Sequence, residues 1–145
     1  MTTTGQWVFD RAMALMDELN ESTGSADTAD TKEYKNRTLS ILNMLRVECF
    51  PFSDTYKITE PGKRPICPEI TSFTDIIGLD DGIAQGVLPY GLAAHLLLDE
   101  NPDAASFFQQ RYQEQLSLMR VNLPASVESI TDQYGGIEYG YFGRW

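Results

Sequence analysis

The sequence has few basic residues relative to its acidic ones. Its 145 residues include 11 lysines and arginines against 21 aspartates and glutamates, which gives a formal net charge of −10 at pH 7. A surface of this sign repels phosphate backbones and anionic lipid headgroups. We therefore expect no specific DNA binding and no docking on an acidic membrane.

Long apolar segments are also absent. The most apolar stretch, residues 88–98, has about half of the ~20 residues that a membrane-spanning helix needs. The first five residues, MTTTG, have neither the basic start nor the apolar stretch of a signal peptide. The chain length favours one domain. We expect a single-domain protein in a cytoplasm-like compartment, without a membrane partner.

Cysteine and histidine are scarce, which limits metal and redox chemistry. The two cysteines, Cys49 and Cys67, lie 18 residues apart, a spacing that matches no metal-binding motif. We expect both to be reduced and buried thiols. The sequence therefore predicts neither a metal site nor a cofactor.

Two helices are predicted in the first third of the chain. Apolar residues recur with a 3.6-residue period over residues 6–20 and again over residues 34–49, before Pro51 ends the pattern. Asp30 followed by Glu33 resembles a capping box at the start of the second helix. The polar segment between the two helices is expected to be a loop.

Proline is concentrated in the middle of the chain. Four of the seven prolines fall within residues 51–71, which forbids a helix there and favours an extended loop. Three basic residues, Lys57, Lys63 and Arg64, gather in the same loop and form a local basic site on an acidic chain. We expect this loop to be one of the surfaces that contact a partner.

The segment LPYGLAAHLLLDENPD, residues 88–103, predicts the centre of the fold. Its apolar residues cover almost the whole circumference of a helix, which is typical of a helix surrounded by others. Pro89 should either kink this helix or lie in its first turn. Asn101 is expected to cap the next helix, and the short connection makes the pair an antiparallel hairpin. The apolar stripe of the next helix is predicted to be Ala105, Phe108, Tyr112, Leu116 and Met119. The fold class is therefore mainly α, a small helical bundle around a central antiparallel helical hairpin.

The last twelve residues differ in character from the rest. Residues 134–145 hold five aromatic residues and four glycines, and their alternation predicts a short strand. The strand either folds back onto its own domain or adds to a neighbouring subunit. We divide the chain into a helical domain, residues 1–133, and an aromatic tail. Since aromatic residues and arginine are enriched at interfaces, the expected contact residues of the tail are Tyr139, Tyr141, Phe142, Arg144 and Trp145.

Catalytic chemistry has weak support in the sequence. His95 and Asp99 lie four residues apart on one helical face, the spacing of a base and its orienting carboxylate. No nucleophile motif accompanies them, so we favour packing or pairing near a helix C-terminus, with no catalytic residue. Asp99, Asn101 and Asp103 imitate the first half of a calcium loop, but Ala104 and Gln110 replace its glycine and glutamate. We expect helix capping there instead.

One stretch resembles a known family. Residues 70–116, ITSFTDIIGLDDGIAQGVLPYGLAAHLLLDENPDAASFFQQRYQEQL, are similar to the small head–tail connector (adaptor, head-completion) proteins of tailed bacteriophages and prophages. The resemblance is carried by the segment LPYGLAA at residues 88–94, by the acidic junction DENP at residues 99–102, and by Ala105, Phe108 and Tyr112 after it. It covers about a third of the chain.

This resemblance implies a structural virion protein without enzymatic activity. The subunit would belong to a homo-oligomeric ring of twelve copies, stacked between the portal protein and a tail or stopper protein, and it would line the DNA channel. It would lie in the virion neck, and in the bacterial host cytoplasm before assembly. The alternative is a small helical interaction, assembly or regulatory module without enzymatic activity.

Overall fold

The structure is a computed structural model that describes residues 2–121 of the chain. Within this range the secondary structure is helical, which confirms the predicted mainly α class. The aromatic tail lies outside the described residues. The helices are α1 (Gly5–Leu15), α2 (Lys32–Cys49) with a 3₁₀ turn at Phe50–Phe52, α3 (Asp81–Gly86), α4 (Leu88–Leu96) and α5 (Pro102–Val121).

Helix α4 is the centre of the bundle, as its composition predicted. It contacts the other four α-helices and packs most extensively against α5. Its end and the start of α5 share a buried cluster that includes Leu97 and Ala105, whereas Gly91, earlier in α4, lies against Tyr112, later in α5. These paired contacts run in opposite directions along the two helices, which confirms the antiparallel hairpin.

Two local signals set the ends of the hairpin helices. Proline lacks a backbone N–H and favours the first turn, and α4 begins at Leu88 with Pro89 in that turn rather than kinking. The Asn101 side chain accepts a hydrogen bond from the Ala104 N–H at 3.2 Å, so it caps α5 as predicted.

Helix α1 ends earlier than its apolar period predicts, at Leu15 rather than at residue 20. Asp17 adopts a left-handed conformation (φ 59°), and the N–H groups of Asp17 and Glu18 donate to the carbonyls of Ala14 and Met13. This is a Schellman ending, which usually uses glycine. The helix therefore stops although apolar residues continue.

The predicted capping box at Asp30 and Glu33 is wrong. The residue that precedes α2 is Thr31, and its side chain makes no capping hydrogen bond. Its hydroxyl instead donates to the Ala26 carbonyl at 2.6 Å and accepts from the Thr28 N–H. Thr31 is thus used to fold the preceding loop.

The segment before α1 is fastened to the segment before α3. The Ile77 N–H donates to the Thr3 carbonyl at 2.8 Å, and Gly5 donates to the Asp75 carbonyl at 3.1 Å. The Asp81 carboxylate accepts from the Thr2 N–H and the Thr3 hydroxyl. These bonds connect the first residues of the described chain to a segment 70 or more residues away.

Candidate partner interface

The proline-rich loop after α2 is held in place by two side chains of that helix. The Arg46 guanidinium is buried and donates to the carbonyls of Ile77 (2.7 Å) and Pro68 (2.6 Å). The Asn43 side chain exchanges two hydrogen bonds, each 3.0 Å long, with the backbone of Ile70. These bonds join side chains of α2 to backbone groups. They therefore fix the path of the loop but do not depend on which side chains the loop carries at the bonded positions.

The loop forms a surface groove that brings together the three basic residues singled out in the sequence. Lys57, Lys63 and Arg64 line one depression of about 470 Å³. We call it the basic groove. Its other lining residues are Phe50, Thr55, Thr59, Glu60, Pro65 and Ile66.

Only part of the positive charge in the basic groove is neutralised locally. The Lys63 ammonium lies 2.8 Å from the Glu60 carboxylate, but both side chains are largely exposed, so the pair contributes little to stability. Lys57 and Arg64 make no ion pair within residues 2–121. Two cations therefore remain available to a partner.

Large apolar side chains are exposed around the same loop. Ile58 is 67% exposed and Ile66 is 86% exposed. Met44 and Val47, on the outer face of α2, are also exposed. An interface with an apolar centre and a charged rim uses this combination. Sequence reasoning missed these four residues, although isoleucine in an extended proline-rich loop was an available signal.

The predicted contact residues of the aromatic tail, Tyr139 to Trp145, lie outside the described residues. For them the prediction stays as it was made from the sequence. The three basic residues of the loop are therefore the part of the predicted interface that can be placed.

His95 lies at the surface of α4 rather than in a cleft with Asp99. Both residues are exposed, and no hydrogen bond joins them in the described part of the chain. Gly91, four residues before His95 in the same helix, is buried against Tyr112. A shallow groove of about 450 Å³ between α4 and α5 brings His95 near Ser106, but their side chains are not hydrogen-bonded. This arrangement does not assemble a base with an activated nucleophile.

The buried cysteine has lost nucleophilic character. Cys49 lies in the core with its sulfur 3.6 Å from the Tyr112 hydroxyl, and burial raises the pKa of the thiol to about 11. Burial also raises the pKa of Tyr112. Since the thiolate is the reactive form, Cys49 is inert near neutral pH. Cys67 is free but only half-buried, so the expectation of two buried thiols is wrong for it.

A second buried tyrosine ties α2 to the end of the hairpin connection. The Tyr34 hydroxyl donates a hydrogen bond to the Glu100 carboxylate. Burial and this bond raise the pKa of Tyr34, so it stays protonated. The contact therefore joins α2 to the connection between α4 and α5 through a neutral phenol and a carboxylate.

The described residues form neither a metal-binding cluster nor a membrane-spanning helix. Residues 2–121 contain no group of three or more histidine, cysteine, aspartate or glutamate side chains placed to hold a metal ion. None of the helices in that range has the length and apolarity required to cross a bilayer. Asn101, the centre of the calcium-like motif, is engaged in capping α5.

The fold and the groove together define a class of protein: a small, mainly helical protein with a basic, partly apolar surface groove. A scan of the chain against protein-family models gives no match, and comparisons with curated proteins and with solved structures give none either.

Proposed function

We propose that the protein is a structural subunit of the head–tail connector ring of a tailed bacteriophage or prophage. In this role it joins the portal to the tail and lines the DNA channel. The observation that carries the proposal is the basic groove, which is lined by Ile66 and by two cations that make no ion pair within residues 2–121, with exposed Ile58 beside it. Arg46 holds the loop that forms it to the bundle. Such a loop suits protein–protein contact rather than chemistry.

The segment that resembles connector proteins supports the proposal through its position in the fold. Residues 70–116 include α3, α4 and most of α5. Three of the residues that carry the resemblance hold the two helices of the hairpin together. They are Ala105, Phe108 and Tyr112, the buried residues of α5. The common features therefore belong to the part of the molecule on which the bundle depends.

Charge supports the channel role. A chain with a net charge of −10 presents a repulsive surface to DNA, so the genome would slide past it rather than bind. A ring built from one kind of subunit needs two different surfaces on each copy, one to give and one to receive. We assign the basic groove as one surface and the aromatic tail, residues 134–145, as a further docking segment.

The test is electron microscopy of the full chain mixed with portal rings from the same phage or prophage. We expect an added ring of twelve copies on the tail-facing side of the portal, and particles without the protein should lack it. A protein that never associates with portal or virions would contradict the proposal.

A small helical interaction or assembly module is the second candidate. The basic groove favours it equally, because exposed isoleucines beside lysines suit many protein partners. The two candidates differ in stoichiometry. A module would recover a single partner at 1:1 in a pull-down from infected cells, whereas a connector would recover portal and tail proteins as a ring.

Removing residues 134–145 tests the role of the tail. Since residues 2–121 already contain two buried apolar clusters, we expect unchanged circular dichroism and melting temperature but loss of assembly on the portal. If the truncated chain unfolds, the tail instead packs onto the helical domain of its own chain.

A further inference from the structure

A second charged groove lies at the connection between α1 and α2. It has a volume of about 340 Å³ and carries four carboxylates around Leu19, which is 37% exposed. We call it the acidic groove. Its lining residues are Asp17, Glu18, Leu19, Asn20, Glu21, Ser22, Thr28 and Asp30.

Within residues 2–121, the carboxylates of the acidic groove lack cationic partners. Asp27, just outside the groove, pairs with Lys35 at 2.7 Å. By contrast, Asp17, Glu18, Glu21 and Asp30 make no ion pair within residues 2–121. Each groove therefore presents charge that the described chain leaves unneutralised.

The two grooves lie at opposite ends of α2. The acidic groove is formed by the loop that leads into Lys32, the first residue of the helix, and the basic groove begins at Phe50, just after its last residue. An α-helix of 18 residues is about 27 Å long at 1.5 Å per residue. The length of the helix therefore separates the two ends at which the grooves begin.

We propose that the basic groove of one copy receives the acidic groove of a second copy. Lys57, Lys63 and Arg64 then face the four carboxylates, and Leu19 packs against Ile58 or Ile66. Because the two surfaces differ, the contact is head-to-tail and can close into a ring. The inference rests on the proposed function for the ring, and it identifies which surfaces of the subunit pair.

The overall charge explains why such a contact would be weak between free subunits. Two chains of net charge −10 repel each other at long range. At 0.15 M salt this repulsion is screened beyond about 8 Å, whereas close pairs are screened less. Self-association should therefore be tested at this ionic strength and at high protein concentration.

Cross-linking of isotopically mixed full chains tests the proposal directly. Equal amounts of unlabelled and ¹⁵N-labelled protein are treated with a carbodiimide, which joins lysine to carboxylate without a spacer, and the peptides are identified by mass spectrometry. We expect mixed-isotope links from Lys57 or Lys63 to the carboxylates of the acidic groove. Links only from other lysines, such as Lys32 or Lys35, or no intermolecular links at all, would overturn the proposal.

Charge-reversal variants test the polarity of the contact by sedimentation velocity. We expect K57E/R64E and E21K/D30K each to weaken self-association at least tenfold. A mixture of the two variants should associate although each variant alone does not, because the unchanged acidic groove of one variant meets the unchanged basic groove of the other and the two reversed grooves also carry opposite charges. A chain with all four changes should recover part of the self-association, because each reversed residue again faces a residue of opposite charge.

A matched variant separates local pairing from net charge. D99K/D103K changes the net charge as E21K/D30K does, but at the α4–α5 junction, and should leave self-association within twofold of the unchanged chain. Equal loss in both variants would overturn the proposal. If self-association does not depend on the grooves but rings still form on the portal, the connector role stands and this pairing is wrong. If self-association depends on the grooves but no ring forms on the portal, only the connector role is contradicted.

Discussion

At the scale of single residues, the fold depends on a glycine, Gly91, and on the long side chain of Arg46. Gly91 lets α5 approach α4 because a Cβ there would lie 2.9 Å from the Tyr112 ring. Arg46 reaches from α2 to the carbonyls of Pro68 and Ile77, and the bond to Ile77 is buried. Both residues act between elements distant in sequence.

Replacing Gly91 with alanine should destabilise the protein. The added Cβ would meet Tyr112 and Leu45 at 2.9–3.0 Å, and overpacking of this kind costs about 1–3 kcal/mol. Urea unfolding measures the loss. Gly86→Ala is the control, since its Cβ would meet nothing within 4 Å; it should be neutral or stabilising by up to about 1 kcal/mol. Equal effects at the two positions would refute the close approach.

Replacing Arg46 with methionine should lower the free energy of unfolding by about 1.5–3 kcal/mol, the range for hydrogen bonds that involve a charged group. The methionine fills much of the space but leaves the carbonyls of Pro68 and Ile77 without their donor. Arg64→Met is the control. Arg64 is exposed and has no ion pair in the described chain, so we expect a change within about 0.5 kcal/mol. A neutral Arg46→Met would show that the loop is held by other contacts.

At the scale of secondary-structure elements, α2 and the hairpin have different tasks. Helix α4 supplies the core, with seven of its nine residues buried. Helix α2 buries fewer residues and separates the two charged grooves, because a loop leaves from each of its ends. The bundle thus provides rigidity in one element and spacing of the surfaces in another.

Removing the cap of α5 should weaken the hairpin. Asn101→Ala deletes the acceptor of the Ala104 N–H, and loss of such a cap costs about 1 kcal/mol. Chemical denaturation followed by circular dichroism measures it. Ser106→Ala, an exposed change in the same helix, should stay within about 0.5 kcal/mol. If Asn101→Ala is equally silent, the cap contributes nothing.

At the scale of the whole molecule, the start of the described chain is joined to the segment before α3 by the contacts between residues 2–6 and 73–81. The bridge between Thr4 and Ile76 and the Asp81 carboxylate make these contacts. Hydrogen bonds from the Thr2 N–H and the Thr3 hydroxyl lower the pKa of Asp81 to about 2. We therefore expect these contacts to weaken in acid.

Acid should weaken the contacts between residues 2–6 and 73–81 in a defined pH window. Because the pKa of Asp81 is lowered in the folded state, its ionised form stabilises the fold above about pH 4, and the contribution is lost as the pH falls towards 2. In urea titrations Asp81→Asn should be less stable than the parent at pH 6 and lose less stability between pH 4 and pH 2. Thr3→Val, which removes one donor to the carboxylate, should shift the curve in the same direction. Parallel curves for Asp81→Asn and the parent would contradict this role.

Local sequence signals were sufficient for much of the helical framework. The buried helix at residues 88–96, its start beside Pro89 and the Asn101 cap all follow from periodicity and capping chemistry, which act over a few residues. The end of α1 was missed because Asp17 takes a conformation that usually requires glycine. The path of the proline-rich loop was also missed, since Arg46 binds carbonyls 22 and 31 residues away.

The sequence by itself determined which segments are helical, which helix is central and where positive charge gathers, because each depends on residues close together in the chain. Only the tertiary structure decided that Lys57, Lys63 and Arg64 share one groove beside exposed isoleucines, and that an acidic groove lies at the other end of α2. These surfaces are made by packing and by long-range hydrogen bonds. Their geometry depends on contacts between residues that periodicity and composition treat as independent.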